Sequence, residues 1–400
     1  MDTKSYIPRD IYIAKIKPFI NKELIKVLIG QRRSGKSYLL FQIMDEITKM
    51  EQNAKILYIN KELNEFENIK TWQDLYDYIH INTTLGKINH IFIDEIQDIL
   101  NFENALKSLT AEGNYDIYIS GSNSKLLSGE LSTYLSGRYI EIQINPLSYF
   151  EFLTFHQLEN NSQSLNLYLK FGGMPYLMNL KLEDEIVYDY LKSIAHSILY
   201  KDIVSRFEIR NVEFLNRLVN YLAQHSGAIV SASNISKFLK SQQISISLPV
   251  VLSYLHYLCN SLVINKVQRA EINGKKIFEI GEKYYFNDVG IRNSLIGYKA
   301  FNLGLIIENV VYLHLKIKGY AVWVGSLGIK EVDFIAEKRG ERIYIQVSLQ
   351  VTEKSTFDRE LGNLLSIKDN YPKMLVTLDE NTGGTFEGIQ HISLRKFLSE

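Results

Sequence analysis

Cysteine is almost missing from this 400-residue chain, with Cys259 as its single representative. That excludes an intramolecular disulfide framework and a cysteine-rich zinc site. Net charge is missing as well, because 45 Lys and Arg balance 45 Asp and Glu. No global field therefore draws the chain to nucleic acid or to an anionic membrane, although a local basic face is compatible with the balance. The opening MDTKSYIPRD is polar and lacks the apolar core of a signal peptide. No run of eighteen or more apolar residues is evident, so no membrane span is expected. Internal repeats and low-complexity tracts are missing too, apart from a short polar run at 159–164. What remains, 46% hydrophobic and 22% charged, is the composition of a soluble globular protein. Its length calls for two to four domains, and the expected location is cytoplasmic.

The stretch that carries most meaning is VLIGQRRSGKSYLL at 27–40. Gly30, Gln31, Arg32, Arg33, Ser34, Gly35, Lys36 and Ser37 match GxxxxGK[ST] in full. An apolar β-branched run at 25–29 precedes it, and Leu39, Leu40, Ile43, Met44 and Ile47 follow at helical spacing. Strand, glycine-rich loop and helix form a P-loop, whose backbone N–H groups and helix dipole cradle phosphates. Lys36 is expected on the β- and γ-phosphates and the Ser37 hydroxyl on Mg²⁺. Tyr38 follows directly and is counted with the nucleotide-binding loop. Arg32 and Arg33 fit pairing with acidic neighbours at least as well as contact with nucleotide.

Further strands are expected at 55–60, 89–94, 116–120 and 139–144, with helices at 71–80, 102–112 and about 125–135. Strands alternating with helices predict a parallel five-stranded sheet covered on both faces, a three-layer α/β core over 1–145. From 146 to 210 the signals are helical and surround a Gly172-Gly173-Met174-Pro175 turn, with a long helix at 183–206; this reads as a helical lid. Residues 211–299 show three helices and a hairpin (262–268 with 276–280 around Asn273-Gly274), the pattern of a winged helix. Residues 300–400 open with a helix at 303–318 and continue as a small separate α/β domain.

Asp94, at the end of the third strand, is placed to hold the Mg²⁺ shell. Glu95 beside it is placed to polarise a water for attack on the γ-phosphate. The fourth strand ends in Ser120-Gly121-Ser122-Asn123, where Asn123, or else Ser122, could sit between the acidic strand and the γ-phosphate. Arg138 precedes the fifth strand and fits either a structural ion pair or a γ-phosphate contact, in cis or in a neighbouring subunit.

Together VLIGQRRSGKS, IFIDEIQ, YISGSNSKLLSG, SGRY and FGGMP resemble the AAA+ and STAND-like ATPases of bacteria and archaea. The resemblance covers essentially the whole chain and implies ATP rather than GTP; no NKxD motif occurs. It implies that the turn at Gly172, Gly173 and Pro175 closes over the base, whereas its own residues describe only a helix–helix corner. It also implies that the backbone of Ile7-Pro8-Arg9 lines the adenine pocket. The C-terminal domain resembles the restriction-endonuclease-like PD-(D/E)xK fold through Glu308, Glu331-Val332-Asp333 and Ile345-Gln346-Val347-Ser348. A nuclease site of that type needs a carboxylate where Gln346 stands and a lysine where Ser348 stands. An inactive docking domain is therefore expected.

The third winged-helix segment, about 249–258, has no Lys or Arg, so DNA is disfavoured as a partner. Lys266, Arg269, Lys275 and Lys276 on the wing are the remaining phosphate contacts. The expectation is a Mg²⁺-dependent ATPase that binds ATP and a protein client, with a homo-oligomer compatible with Arg138. ATP binding and hydrolysis would switch core, lid and winged helix. The rivals are a DNA-processing ATPase with a nuclease-like tail and a non-hydrolysing, nucleotide-dependent scaffold.

Overall fold

The computed structural model describes residues 6–84, 86–122, 135, 137–241, 244, 246–272, 281–350, 361–380 and 383–400. The chain divides into two compact units, Met1–Asn145 with Asn260–Leu262, and Pro146–Cys259 with Val263–Glu400.

In the first unit the five apolar segments are strands: β1 (Ile25–Gly30), β2 (Lys55–Asn60), β3 (Asn89–Asp94), β4 (Tyr115–Gly121) and β5 (Tyr139–Ile144). All neighbouring pairs are parallel, in the order β2-β3-β4-β1-β5. Every residue of β1 and β3 is buried, as a parallel sheet with helices on both faces requires. The helices are α1 (Asp10–Ile16), α2 (Lys36–Met50), α3 (Trp72–Asn82) and α4 (Phe102–Glu112). On one face α2 sets Leu39, Leu40, Ile43 and Ile47 against Leu28, Phe92 and Tyr118. On the other, Leu75, Ile79, Leu106 and Leu109 of α3 and α4 cover Val27, Ile91 and Ile117. This is the expected α/β P-loop core. The helix expected near 125–135 lies almost wholly outside the described residues.

The second unit begins with helices Tyr149–His156, Ser162–Phe171 and Asp184–Ser197. The single helix expected at 183–206 is two segments, because Ile198–Ser205 continues it as a π-helix, a rare geometry for so long a run. Helices Val212–Gln224, Ala232–Ser241 and Leu248–Asn260 follow, with a three-stranded sheet of β6 (Ile229–Val230), β7 (Ile264–Val267) and β9 (Glu282–Phe286), in the order β6-β9-β7. The expected hairpin partner at 276–280 lies outside the described residues, and β7 pairs instead with β9. Between them β8 (Arg269–Glu271) leaves this sheet and pairs in parallel with β10 (Ala321–Leu327).

That second sheet is completed by β11 (Lys330–Lys338), β12 (Glu341–Ser348), β13 (Lys373–Thr377), β14 (Gly384–Phe386) and β15 (Ile389–Ser393), in the order β14-β15-β13-β12-β11-β10-β8. Strands β10 to β12 form an antiparallel meander, and β12 to β13 is parallel. Among the described residues one segment, Ala300–Ile317, is long and apolar enough by length and composition to cross a membrane, although Asn, Glu, His and Lys interrupt it. Its helical part, Leu303–Ile317, is a core helix: Ile306, Ile307, Val310 and Val311 are buried. Asn309 at its middle donates to Phe286 O at 2.8 Å and accepts from Phe286 N at 2.9 Å.

The Gly172-Gly173-Met174-Pro175 turn is built by close approach. A Cβ on Gly173 would stand 2.3 Å from Leu147 O, and one on Gly290 only 1.9 Å from Phe171 O. Gly172 has φ 74°, open to glycine at no steric cost. Asp288 caps the helix Val289–Ile296 by accepting from Ile291 N at 2.8 Å, and also accepts from Gly173 N at 2.7 Å. The residues of this turn are thus explained as a helix–helix corner within the second unit, with Pro175 opening the 3-10 segment Pro175–Asn179.

Burial pushes the Asp288 carboxyl up to about 6, although N–H bonds from Gly173, Ile291 and Gly290 favour its charged form. A raised carboxyl pKa means that the folded protein holds the proton more tightly than the unfolded chain. The contribution of Asp288 to stability is then full below about pH 4 and is lost as pH rises through about 6, by on the order of 3 kcal/mol. Asp288→Asn should keep the cap and remove that slope. Urea unfolding across this pH range checks it; an unchanged slope would assign the titration to another group.

Candidate nucleotide site

Because β1, β3 and β4 run parallel, their carboxyl ends meet at one edge of the sheet. Ile29 lies beside Gly121, Ile93 beside Ile119, and Asn60 beside Asp94. β4 stands between the P-loop strand and the acidic strand, so Gly30, Asp94 and Ser122 emerge together.

The loop between β1 and α2 is shaped by two left-handed residues, Arg33 at φ 68° and Gly35 at φ 97°. A Cβ on Gly30 would stand 2.4 Å from Ile144 O and 2.7 Å from Ser34 Oγ, so only glycine fits there. Lys36 is 4% exposed. Its Nζ donates to Gly30 O at 3.0 Å and Gln31 O at 3.3 Å, and lies 3.8 Å from Glu95 Oε1. Gln31 and Ser34 are buried, Ser37 is half-buried, and Arg33 and Tyr38 are exposed. Arg32 reaches Glu62 at 3.6 Å.

Asp94 is buried and accepts from the Ser120 hydroxyl and, at 3.1 Å, from the Tyr58 hydroxyl. Glu95 takes φ 57°, uncommon for a residue with a side chain, and its N–H donates to Ser120 Oγ at 3.3 Å. Gln97 donates to Glu95 Oε2. Burial drives the Glu95 carboxyl upward, but Lys36, Gln97, Arg32 and Ser122 outweigh it and hold the pKa below the usual glutamate value. Glu95 is therefore a carboxylate at neutral pH.

Lys36, Asp94, Glu95 and Ser122 are thus brought together, with the Ser37 position at the start of α2. Asn123 lies outside the described residues. Arg138 is not brought to this edge. Its carbonyl accepts from Ile25 N at 3.0 Å, and Tyr139 pairs with Ile25 while Ile144 pairs with Gly30. Five residues at about 3.3 Å each put Arg138 roughly 17 Å from the P-loop, so the cis role on the γ-phosphate is withdrawn. Pro175 belongs to the second unit.

Four contributors were given no role by the sequence. Ser120 and Tyr58 hold Asp94, and Gln97 holds Glu95, though Gln97 stands inside the Asp-Glu-Ile-Gln box. The fourth is Arg9, buried, whose Nη1 donates to Ser34 O at 3.0 Å and Asn145 O at 3.1 Å. Its N–H donates to Gln42 Oε1 on α2 at 2.9 Å. The resemblance pointed to the backbone of Ile7-Pro8-Arg9 and gave no role to the Arg9 side chain, whose burial against the P-loop no local pattern marks.

Residues 22–153 match the family model of an AAA domain, and residues 162–302 match that of a domain of unknown function. An uncharacterized protein of Haemophilus influenzae is 37% identical over 382 residues, 94% of each chain. An uncharacterized protein of Methanocaldococcus jannaschii is 32% identical over 370 residues, 89% of this chain and 80% of the other. The chain belongs to their family, and its first unit carries the P-loop AAA domain. Among solved structures, a Walker-type ATPase of Pyrococcus abyssi is similar at 15% identity and a TM-score of 0.48, over 73% of this chain and 96% of that one. The domain of unknown function runs through both segments expected as lid and winged helix.

In this P-loop AAA domain the Lys36 ammonium should move from the loop's own carbonyls to the phosphates when nucleotide binds. Lys36→Ala should weaken ATP binding by about 10–100-fold or more, the cost of a charged hydrogen-bond donor. Titration with a fluorescent ATP analogue, with circular dichroism as a folding control, measures this. Wild-type affinity in the variant would place the phosphates elsewhere.

Proposed function

We propose that the chain hydrolyses ATP with Mg²⁺ and uses the cycle to switch the arrangement of its modules for a protein client. The observation that carries the reading is the meeting of Lys36, Asp94 and Glu95 at one sheet edge, with Glu95 held ionised 3.8 Å from the lysine. Glu95 is the base that takes a proton from the attacking water, and Gln97 orients it. Lys36 and the N–H groups at the start of α2 bind phosphate oxygens. Arg9 holds the P-loop carbonyl of Ser34 in place from behind.

The donor set fits Mg²⁺, a hard cation that takes oxygen ligands. The Ser37 hydroxyl and Asp94 carboxylate would hold it. Among the described residues no lysine or arginine pairs with Asp94, which accepts from the Tyr58 and Ser120 hydroxyls. The ion would supply charge neutralisation at the phosphates. Glu95→Gln should therefore retain ATP affinity while turnover falls by about 10²–10⁴-fold, the usual worth of a general base. Phosphate release under saturating ATP tests this. Full turnover in the variant would move the base to another residue, and an inert wild type would favour the nucleotide-dependent scaffold.

Features of the second unit favour a protein client over DNA. On the helix Leu248–Asn260, the apolar side chains Leu248, Val250 and Leu252 are exposed, and phosphate contacts need cations. Lys266 is occupied by Glu282 at 2.5 Å, and Arg269 on β8 donates to Ser326 Oγ on its neighbour β10 at 3.3 Å. Lys275 and Lys276 lie outside the described residues. For the C-terminal part, the helix Leu303–Ile317 followed by the β10–β12 meander and parallel β13 supports a nuclease-like fold. Gln346 Oε1 accepts from Asp333 N at 3.3 Å and the Ser348 hydroxyl faces Gln350 O, so neither supplies the missing carboxylate or cation. No cleavage of single- or double-stranded DNA with Mg²⁺ or Mn²⁺ is expected. Metal-dependent cutting that disappears in Asp333→Ala would overturn this and promote the DNA-processing reading.

A further inference from the structure

Strand β9 alternates in the ordinary way. Tyr284 and Phe286 enter the core made by the surrounding helices, so Lys283 and Tyr285 face the opposite side. On that side Lys283 is only 3% exposed. Its Nζ lies 2.9 Å from Glu308 Oε1, 2.8 Å from Glu331 Oε1 and 3.5 Å from Asp333 Oδ1. Glu308 comes from the helix Leu303–Ile317, and Glu331 and Asp333 from β11. The Tyr285 hydroxyl donates to the same Glu308 oxygen at 2.6 Å. The second Asp333 oxygen accepts from Val347 N at 2.8 Å.

We propose that Glu308, Glu331 and Asp333 form a cation site whose ligand is the chain's own Lys283 ammonium, which plugs the site against divalent metal and locks β9 to the C-terminal sheet. The proposal stands on the second unit alone and is independent of the ATPase reading. One ammonium faces three carboxyl groups that would otherwise repel one another at low dielectric. Burial by itself would favour loss of the lysine proton, but Glu308, Asp333 and Glu331 overcome that and hold Lys283 charged, well above the ordinary lysine range. A divalent ion would need carboxylate oxygens at about 2.0–2.6 Å, in the space the ammonium fills. Among the described residues no group of three or more His, Cys, Asp or Glu is arranged to hold a metal. Burial and the neighbouring Glu308 push the Asp333 carboxyl up to about 8 even beside the ammonium, so the cation that Ser348 does not supply is delivered from a different sheet and sits among three carboxyl groups that cannot all ionise without it.

The reading separates charge from packing. Removing one partner of a buried ion cluster leaves uncompensated charge, whereas removing all of it with isosteric neutral groups does not. In the full-length protein, Lys283→Met should lower Tm by about 5–10 °C. Adding Glu308→Gln and Asp333→Asn to it should recover at least half of the loss. Hydrogen exchange over 282–286 and 303–312 should rise together in the single variant and return toward wild type in the triple one. If Lys283→Met does not accumulate as folded protein, recovery of folded protein by the triple variant is the equivalent result. A triple variant no more stable than the single one would assign Lys283 to stem packing and overturn the proposal. Mn²⁺ without nucleotide should leave the wild-type Tm unchanged. A Mn²⁺-dependent rise that Asp333→Asn removes would show the site open to metal and would also overturn it.

Discussion

All the chemistry of the first unit is delivered by strands that run in one direction. A parallel strand ends where its neighbours end, so the residues just past Gly30, Asp94 and Gly121 are forced into one small volume. An antiparallel neighbour would have sent one of those ends to the far side of the sheet. The same constraint explains why Arg138 is excluded: it stands at the start of β5, beside the start of β1. Complete burial of β1 and β3 makes the constraint rigid, because a one-residue slip would carry Asp94 out of register with Asn60 and disturb the packing beneath it.

Within that frame the nucleotide site is held by polar contacts that compete with its ligands. Lys36 spends its donors on two carbonyls of its own loop and on Glu95, and Asp94 is held by two hydroxyls. The Lys36 contacts to Gly30 O and Gln31 O, at 3.0 and 3.3 Å, are exchangeable for phosphate oxygens of similar chemistry. Arg9 differs, since its bonds reach backbone carbonyls behind the loop rather than the phosphate side groups. It is a brace, set by a segment that precedes the P-loop by some twenty residues.

The second unit is built on different physics. Its two sheets and its helices are joined by buried polar groups as well as by apolar packing. Asn309 satisfies both backbone groups of Phe286 in the manner of a neighbouring strand, and Asp288 ties the glycine corner to the helix Val289–Ile296. Such groups are costly when left unpaired, so they specify one docking geometry more sharply than apolar contact does. The joining of β8 to β10 has the same effect on the chain path. A segment legible as the wing of one module becomes the edge strand of the next.

The P-loop, the acidic strand end and the five strands of the first sheet were legible from local signals alone. Each rests on contiguous residues: a glycine spacing, a β-branched run, a helical repeat of apolar side chains. A buried parallel strand must be apolar along its whole length, and that leaves an unmistakable trace. The sequence also showed that Gln346 and Ser348, neither a carboxylate nor a cation, stand on one strand, Glu341–Ser348. Tertiary structure alone decided which distant residues meet. Ser120, Tyr58 and Arg9 reach the site across 25 to 36 positions, and Lys283 reaches Asp333 from another sheet. No local pattern marks a lysine that will be buried among three carboxyl groups, because its burial is a property of the packed partners and not of its own neighbours in the chain.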